Sequence, residues 1–256
     1  MHWANAVLLG IVEGLTEFLP VSSTGHLILA ARLLGLPQTE FMKTFEIAIQ
    51  LGTLLAVVLI YWRRLLTDME TMKRVLAAFL PTAVIGVLLY SFIKKFLFAG
   101  PSAVLWSLLL GGLALIVFDH WHREGENSVR RINDIPFSKA VGVGCVQSLA
   151  VVPGVSRAAA TIVGGLWLGL DKKTAVELSF LLAIPTLAAA TALDMMVQAP
   201  VLGAQEWKFL LIGALASFIV GILSIRFFLS FIQKRGFTAF GVYRIAVAIL
   251  FWIFVK

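Results

Sequence analysis

The sequence predicts an all-α, polytopic integral membrane protein with six crossing helices and two re-entrant, broken helical hairpins arranged as inverted-topology repeats. Three observations predict it. Of the 256 residues, 60% are hydrophobic and 14% charged, whereas a soluble domain has about 45–50% apolar and about 25% charged residues. Six apolar stretches are long enough to cross a bilayer. Two further apolar regions are broken by Pro, Gly and hydroxyl residues. This composition excludes a water-soluble globular enzyme, a disordered chain and a disulfide scaffold, and the one cysteine, Cys145, has no partner for an intrachain disulfide. The net charge of +7 is read as basic loops on one side of a bilayer, so the bilayer and not a nucleic acid is the expected partner.

The elements follow in order. Residues 1–12 are apolar but lack a basic leader and run directly into Glu13, so the first segment is expected to stay in the mature protein. Residues 3–36 are interrupted by Leu19-Pro20-Val21-Ser22-Ser23-Thr24-Gly25-His26. Proline removes a backbone donor and glycine loosens the chain. The crossings are expected at 41–62, 75–93 and 103–119. A solvated loop follows at 120–135, with mixed charges and Asn. Residues 140–170 are interrupted by Val152-Pro153-Gly154-Val155-Ser156-Arg157, and crossings at 174–193, 209–227 and 237–255 complete the chain. At a rise of about 1.5 Å per residue each crossing is near the thickness of a bilayer. Irregular backbone at membrane depth survives only where it lines a protein or water cavity, which makes the two interrupted regions hairpins.

The two interrupted regions resemble each other. Val12–Leu36 aligns without gaps on Val146–Leu170 at an offset of 134, with 8 identities in 25 positions. Residues 1–135 and 136–256 are therefore read as two repeats of one membrane domain. Three crossings change side and a hairpin does not, so the second repeat starts on the opposite face, and the two breaks meet near the midplane. The loops around 62–74, 120–139, 171–173 and 226–235 carry 13 Lys and Arg residues. Their opposite side carries five: Lys43, Lys94, Lys95, Lys208 and Lys256. The basic side is expected to be cytoplasmic, with both termini and the first hairpin mouth facing outward.

Chemistry is sought among the charges inside apolar stretches: Glu13, Glu17, His26, Arg32, Glu46, Arg157, Glu177 and Arg244. A charge at a helix centre costs roughly 2.5–3.5 kcal/mol, so four unpaired would cost about 10 kcal/mol, comparable to a whole folding stability of about 5–15 kcal/mol. They must pair, bind an ion or line a wet cavity. Glu13 and Glu17 stand four apart on one helix face. A hard divalent cation (Mg or Ca) with retained waters would relieve their repulsion, although each could instead bond a hydroxyl or an arginine. Ser22, Ser23 and Thr24 fall at the N-cap of a half-helix, where free N–H groups and the positive dipole end suit phosphate, or simply cap the helix. A hydroxyl there could also act as nucleophile, with His26 as acid or base, whereas a lone buried histidine more often just satisfies the core. Ser156 can cap the second half-helix. Arg157 lies in its first turn, a poor place for a cation unless an anion, or Glu13 or Glu17, pairs with it. Glu46, Gln50, Thr161, Glu177 and Arg244 read as packing groups or supports. Trp62 and Trp121, at segment ends, fit interfacial belts.

At Glu13-Gly14-Leu15-Thr16-Glu17-Phe18-Leu19-Pro20-Val21-Ser22-Ser23-Thr24-Gly25-His26, and at Pro153-Gly154-Val155-Ser156-Arg157 through Thr161, the sequence resembles the bacterial undecaprenyl-diphosphate phosphatase family, the BacA type linked to bacitracin resistance. The resemblance covers essentially the whole chain. It implies removal of the terminal phosphate of a C55 isoprenoid diphosphate, which recycles the lipid carrier of cell-wall synthesis, with a divalent cation. It places Glu13 and Glu17 at the metal, and Glu17, Ser23, His26 and Arg157 in catalysis. Ser22, Thr24, Gly154, Ser156, Arg157 and Thr161 are then expected to bind phosphate. The bacterial plasma membrane is the expected location, with the site facing the periplasm or outside, a lipid diphosphate as substrate and a homodimer left open. The family commonly has Ser after the arginine. This chain has Ala158, which removes one candidate hydroxyl contact. Two other functional classes fit the sequence less fully: a transporter or flippase of an anionic polyprenyl lipid, and a non-catalytic membrane assembly factor.

Overall fold

The computed structural model describes residues 1–89, 101–232 and 234–254. Eleven helices are formed by the described residues: α1 (Trp3–Thr16), α2 (Ser23–Leu33), α3 (Glu40–Ala48), α4 (Gln50–Thr67), α5 (Met69–Leu88), α6 (Pro101–Trp121), α7 (Phe137–Gln147), α8 (Arg157–Trp167), α9 (Lys172–Gln198), α10 (Ala204–Ile232) and α11 (Thr238–Phe254). No strand occurs among them, only an isolated bridge between Val129 and Leu170.

Five stretches are long and apolar enough to cross a membrane: Glu40–Thr67, which joins α3 to α4, Met69–Leu88, Ser102–Trp121, Lys172–Met196 and Ala204–Ile232. They cover five of the six expected crossings, except that residues 90–93 of the second lie outside the described residues. The sixth, expected at 237–255, corresponds to α11, whose apolar run Thr238–Ile253 is shorter; residue 255 is outside the described residues, as are Lys94, Lys95 and Lys256.

Both interrupted regions are helix, break, helix. The α1 helix ends at Thr16 and α2 begins at Ser23. The α7 helix ends at Gln147, a short 3-10 turn follows at Ser148–Val151, and α8 begins at Arg157. The new half-helices are capped by serines: Ser22 Oγ accepts from Gly25 N at 3.3 Å, and Ser156 Oγ from Ala159 N at 3.1 Å. Their far ends match as well. Gly35 and Gly169 both have positive φ, +66° and +87°. Leu36 N donates to Ala31 O and Leu170 N to Gly165 O, which closes each helix with a left-handed glycine cap. These cap positions are separated by the same 134 residues that align the two segments.

Between membrane helices, lipid is as apolar as leucine, so close packing and hydrogen bonds hold the bundle. Gly10 and Gly14 of α1 lie against Gly213, Ser217 and Gly221 of α10. A Cβ at Gly14 would come within 2.8 Å of the Ser217 carbonyl oxygen. In the same way α7 presents Gly144 to the backbone of α5 at Ala78. The largest core carries an aromatic chain, with Phe18 against Phe180 (5.3 Å), Phe180 against Phe228 (6.2 Å) and Phe228 against Phe240 (5.4 Å between ring centroids). Each such pair contributes about 0.5–1.5 kcal/mol beyond its area. Phe18 belongs to the first break, so this chain ties the break to α9, α10 and α11. Large apolar side chains elsewhere, such as Leu88, Leu110, Leu211 and Leu223, are turned outward, as lipid contact allows.

Candidate functional site

The two breaks share one cavity of about 220 Å³. The first break lines it with Glu17, Ser22, Ser23 and Thr24, and the second with Ala150, Val151, Val155, Ser156 and Arg157. Gln50, Thr82, Gln147, Thr186 and Leu187 complete the wall. Thr82 and Thr186 each follow a proline inside a helix, Pro81 in α5 and Pro185 in α9. Their hydroxyls are held by backbone carbonyls: Thr82 Oγ1 donates to Gly144 O at 3.1 Å, which ties α5 to α7, and Thr186 Oγ1 to Leu182 O at 2.7 Å within α9.

Glu17 is the hub. Its Oε1 accepts from Arg157 Nε at 3.3 Å and Nη2 at 3.2 Å, while Oε2 accepts the Ser23 hydroxyl. Arg157 Nη1 donates to Ser179 O at 2.9 Å. The Glu17 and Arg157 side chains are only 5% and 10% exposed. A pair this secluded gives both groups a partner, and truncating one partner of a buried pair costs several kcal/mol, about 3–5. Thus a residue from the first repeat segment and one from the second, 140 positions apart, meet in one ion pair, and the cation in the first turn of α8 has its counter-charge.

His26 lies elsewhere. Its Nδ1 is 2.8 Å from Ser22 O and its Nε2 is 2.9 Å from the Tyr243 hydroxyl, with the two rings stacked at 5.5 Å. A carbonyl only accepts, so Nδ1 carries a proton, and in the neutral ring Nε2 accepts from Tyr243. The Ser23 hydroxyl is engaged by Glu17, and the Ser23–His26 hydrogen bond expected from the sequence is not among those the described residues make. The physical reason is helical direction: the imidazole folds back on the carbonyl four residues earlier and reaches α11.

Other expected residues also separate. Thr24, Ser22 and Ser156 reach the cavity. Thr161 and Gly154 do not. The Thr161 hydroxyl lies 2.9 Å from Gln147 Oε1 and 2.8 Å from Arg157 O, fully buried, so it supports the wall from behind. Gly154 has φ +89°, and a Cβ there would meet Ser107 and the α6 backbone, so its place is set by the turn and by close approach to α6. Ala158, where the family commonly has Ser, is buried in the main core and is not on the cavity. Arg32 is exposed in the last turn of α2, where a cation suits the helix dipole. Glu177 pairs with Arg64 at 2.9 Å.

Glu13 is fully buried beside Glu17, with Glu46 and Arg157 acting on it electrostatically. Neither of its oxygens has a hydrogen-bond donor among the described residues. Orphaned carboxylate oxygens next to a second carboxylate are what a hard cation would satisfy. No group of three or more His, Cys, Asp or Glu suited to a metal occurs among the described residues. Of the two carboxylates only Glu17 lines the cavity; an ion held between them would have to draw its remaining ligands from water and phosphate on the Glu17 side.

The sequence reading missed Tyr243, Ser179, Thr82, Thr186 and Gln147. Only the last left a signal: Gln147 stands 134 residues after Glu13, so the alignment of the two segments already placed a polar side chain there.

The chain matches the model of the family described as bacitracin resistance protein BacA over residues 6–250. It is 49% identical over 250 residues to the undecaprenyl-diphosphatase of Aquifex aeolicus, covering 98% of this chain and 97% of that protein. It is 48% identical to the undecaprenyl-diphosphatase of a Sulfurihydrogenibium species, covering 99% of each chain. The undecaprenyl-diphosphatase of Thermus thermophilus is 44% identical, with 98% and 96% covered. With breaks, serine caps and buried ion pair carried by a chain matched almost end to end, the protein belongs to the bacitracin resistance protein BacA family.

Proposed function

We propose that this protein hydrolyses the terminal phosphate of undecaprenyl diphosphate at an intramembrane site. The observation that carries the reading is Glu17, which joins Ser23 and Arg157 across the two breaks at one polar cavity. The names of the relatives support the substrate. The lipid tail stays in the bilayer and the diphosphate enters the cavity. Arg157 exchanges its Glu17 partner for phosphate oxygens, which it can grip bidentately. The N–H groups at the starts of α2 and α8 add positive potential where charge develops.

Ser23 Oγ attacks the terminal phosphorus, and its proton passes to Glu17 Oε2. The bridging P–O bond breaks and undecaprenyl phosphate leaves. Water then attacks the phosphoserine, the Ser23 Oγ–P bond breaks, Glu17 returns its proton to Oγ, and inorganic phosphate leaves with the oxygen and protons of the water. Glu17 takes the place as base that the sequence reading gave to His26, because it is the group bonded to the hydroxyl. His26, held between Ser22 O and Tyr243, fixes the turn that presents Ser23. A divalent cation held by Glu13 and Glu17 would neutralise diphosphate charge.

The paired packing of the chain supports two inverted repeats with six crossings and two re-entrant hairpins. The α1 helix packs on α10 and α7 packs on α5, so each hairpin opens against the second long helix of the other repeat. On this reading the site lies at mid-depth in the plasma membrane, and the basic bias of the opposite loops supports access from outside.

The test is phosphate release from a C55 diphosphate by the purified protein in detergent, with and without EDTA. Release by the parent, its loss in EDTA and its loss in Arg157→Ala are expected. No release under any metal would overturn the reading and favour a flippase, which needs two compartments. Trapped phosphoserine at Ser23 is expected, and single-turnover hydrolysis by Ser23→Ala at the parent rate would move attack to water.

A further inference from the structure

Arg244 of α11 is the largest fully buried side chain among the described residues, 1% exposed. No carboxylate pairs with it among the described residues. Its guanidinium is satisfied by backbone carbonyls alone. Nη1 donates to Pro20 O at 3.2 Å and Nη2 to Gly154 O at 3.1 Å. Nη2 also donates to Ser107 O at 2.9 Å, and Nε to Leu108 O at 3.4 Å.

Pro20 and Gly154 are the equivalent positions of the two breaks, 134 residues apart. One planar group on a third element thus holds both breaks to each other and to α6. The neighbouring glycines make room for it. A Cβ at Gly111 would collide with Nη2, and one at Gly112 would approach the Arg244 Cβ at 3.1 Å. Arg244 does not line the cavity, so it cannot grip phosphate directly.

We propose that Arg244 is a positioning residue that sets the distance between the two breaks, and so between Ser23 and Arg157, for the hydrolysis read above, on which this inference rests. A fork of five N–H groups can span carbonyls from three segments, which an ammonium cannot. Bonding to Arg244 also keeps the Pro20 and Gly154 oxygens from turning into the cavity, where they would repel a phosphate. Glu17 to Arg157 links the breaks on the cavity side, but that pair must open when phosphate binds. Arg244 supplies a link that persists through turnover.

The test uses the full chain in detergent, in a Cys145→Ser background. Spin labels at Leu15→Cys and Val152→Cys, both exposed, report the separation of the segments that flank the breaks. Arg244→Gln is expected to widen the distance distribution and to lower kcat about 100-fold with little change in KM, as misplaced reacting groups do. Arg244→Lys, which keeps charge but not the fork, is expected to recover part of the rate. Should Arg244→Gln fail to fold, Arg244→Lys and Gly111→Ala, which displaces the guanidinium without removing it, carry the same expectation at about tenfold. A folded variant with the parent distance distribution overturns the proposal whatever its activity, and so does a widened distribution with parent kcat. If the parent releases no phosphate, the functional reading fails while the distance measurement still decides this one.

Discussion

Arg157 shows how a residue's position dictates its chemistry. In the first turn of a half-helix it adds a cation where the dipole is already positive. The cost is offset by Glu17, and under the proposed function by phosphate once substrate displaces that carboxylate. Lysine would keep the charge but lose the planar contact through which Nε and Nη2 share one carboxylate oxygen while Nη1 holds Ser179 O. Arg157→Lys is therefore expected to lower kcat/KM for a C55 diphosphate about 10²–10³-fold, the usual loss for one donor to a developing oxyanion. The folded protein should be retained, as checked by its elution profile and thermal midpoint. A loss under tenfold would show that charge alone serves there. That Arg157 needs a partner was legible in the sequence, because a cation in the first turn of a half-helix must meet an anion or a carboxylate, and Glu17 is that carboxylate here. The Tyr243 partner of His26 was not, because a contact 217 positions away leaves no trace in local spacing.

The helices illustrate the same contrast one level up. Breaks were readable because Pro20, Pro153 and Gly154 punctuate apolar runs. The seams between helices were not, since glycine in a membrane helix is common and only its neighbour shows whether it matters. Gly10 and Gly14 matter because α10 offers Gly213, Ser217 and Gly221 at the matching spacing, which lets the two backbones touch. Gly10→Val would push its side chain against the Gly213 carbonyl and Ala216. Overpacking of this kind costs about 1–3 kcal/mol. The expected result is a lower thermal unfolding midpoint in detergent, with phosphate release retained at temperatures well below it. An unchanged midpoint would mean that α1 and α10 can move apart freely, and the fixed backdrop for Glu13 and Glu17 would be lost with it. The same reasoning explains why α11, though shorter than the other long helices, holds its place: it packs on α6 where Gly112 and Gly241 bring the backbones together.

At the scale of the whole molecule the question is which side of the bilayer supplies the substrate. The distribution of 13 basic residues on one set of loops against five on the other favours a cytoplasmic location for the 120–139 loop, and an outward one for the loop between α2 and α3. Charge counts act over short loops such as these, so the inference is within their range. Pro37 lies in the second loop and Asn127 in the first, and both are exposed. In a Cys145→Ser background, Pro37→Cys is expected to react with a membrane-impermeant maleimide in intact cells. Asn127→Cys should react only after permeabilisation. The reverse pattern would turn the molecule over, and the first break would then receive its lipid from the cytoplasmic leaflet. Equal labelling of each site with and without permeabilisation would indicate chains inserted in both orientations. The expected pattern places the first hairpin mouth outside and the second inside. Glu17 and Arg157, which come from opposite hairpins yet pair within the bundle, would then be fixed at mid-depth by topology as well as by their hydrogen bonds.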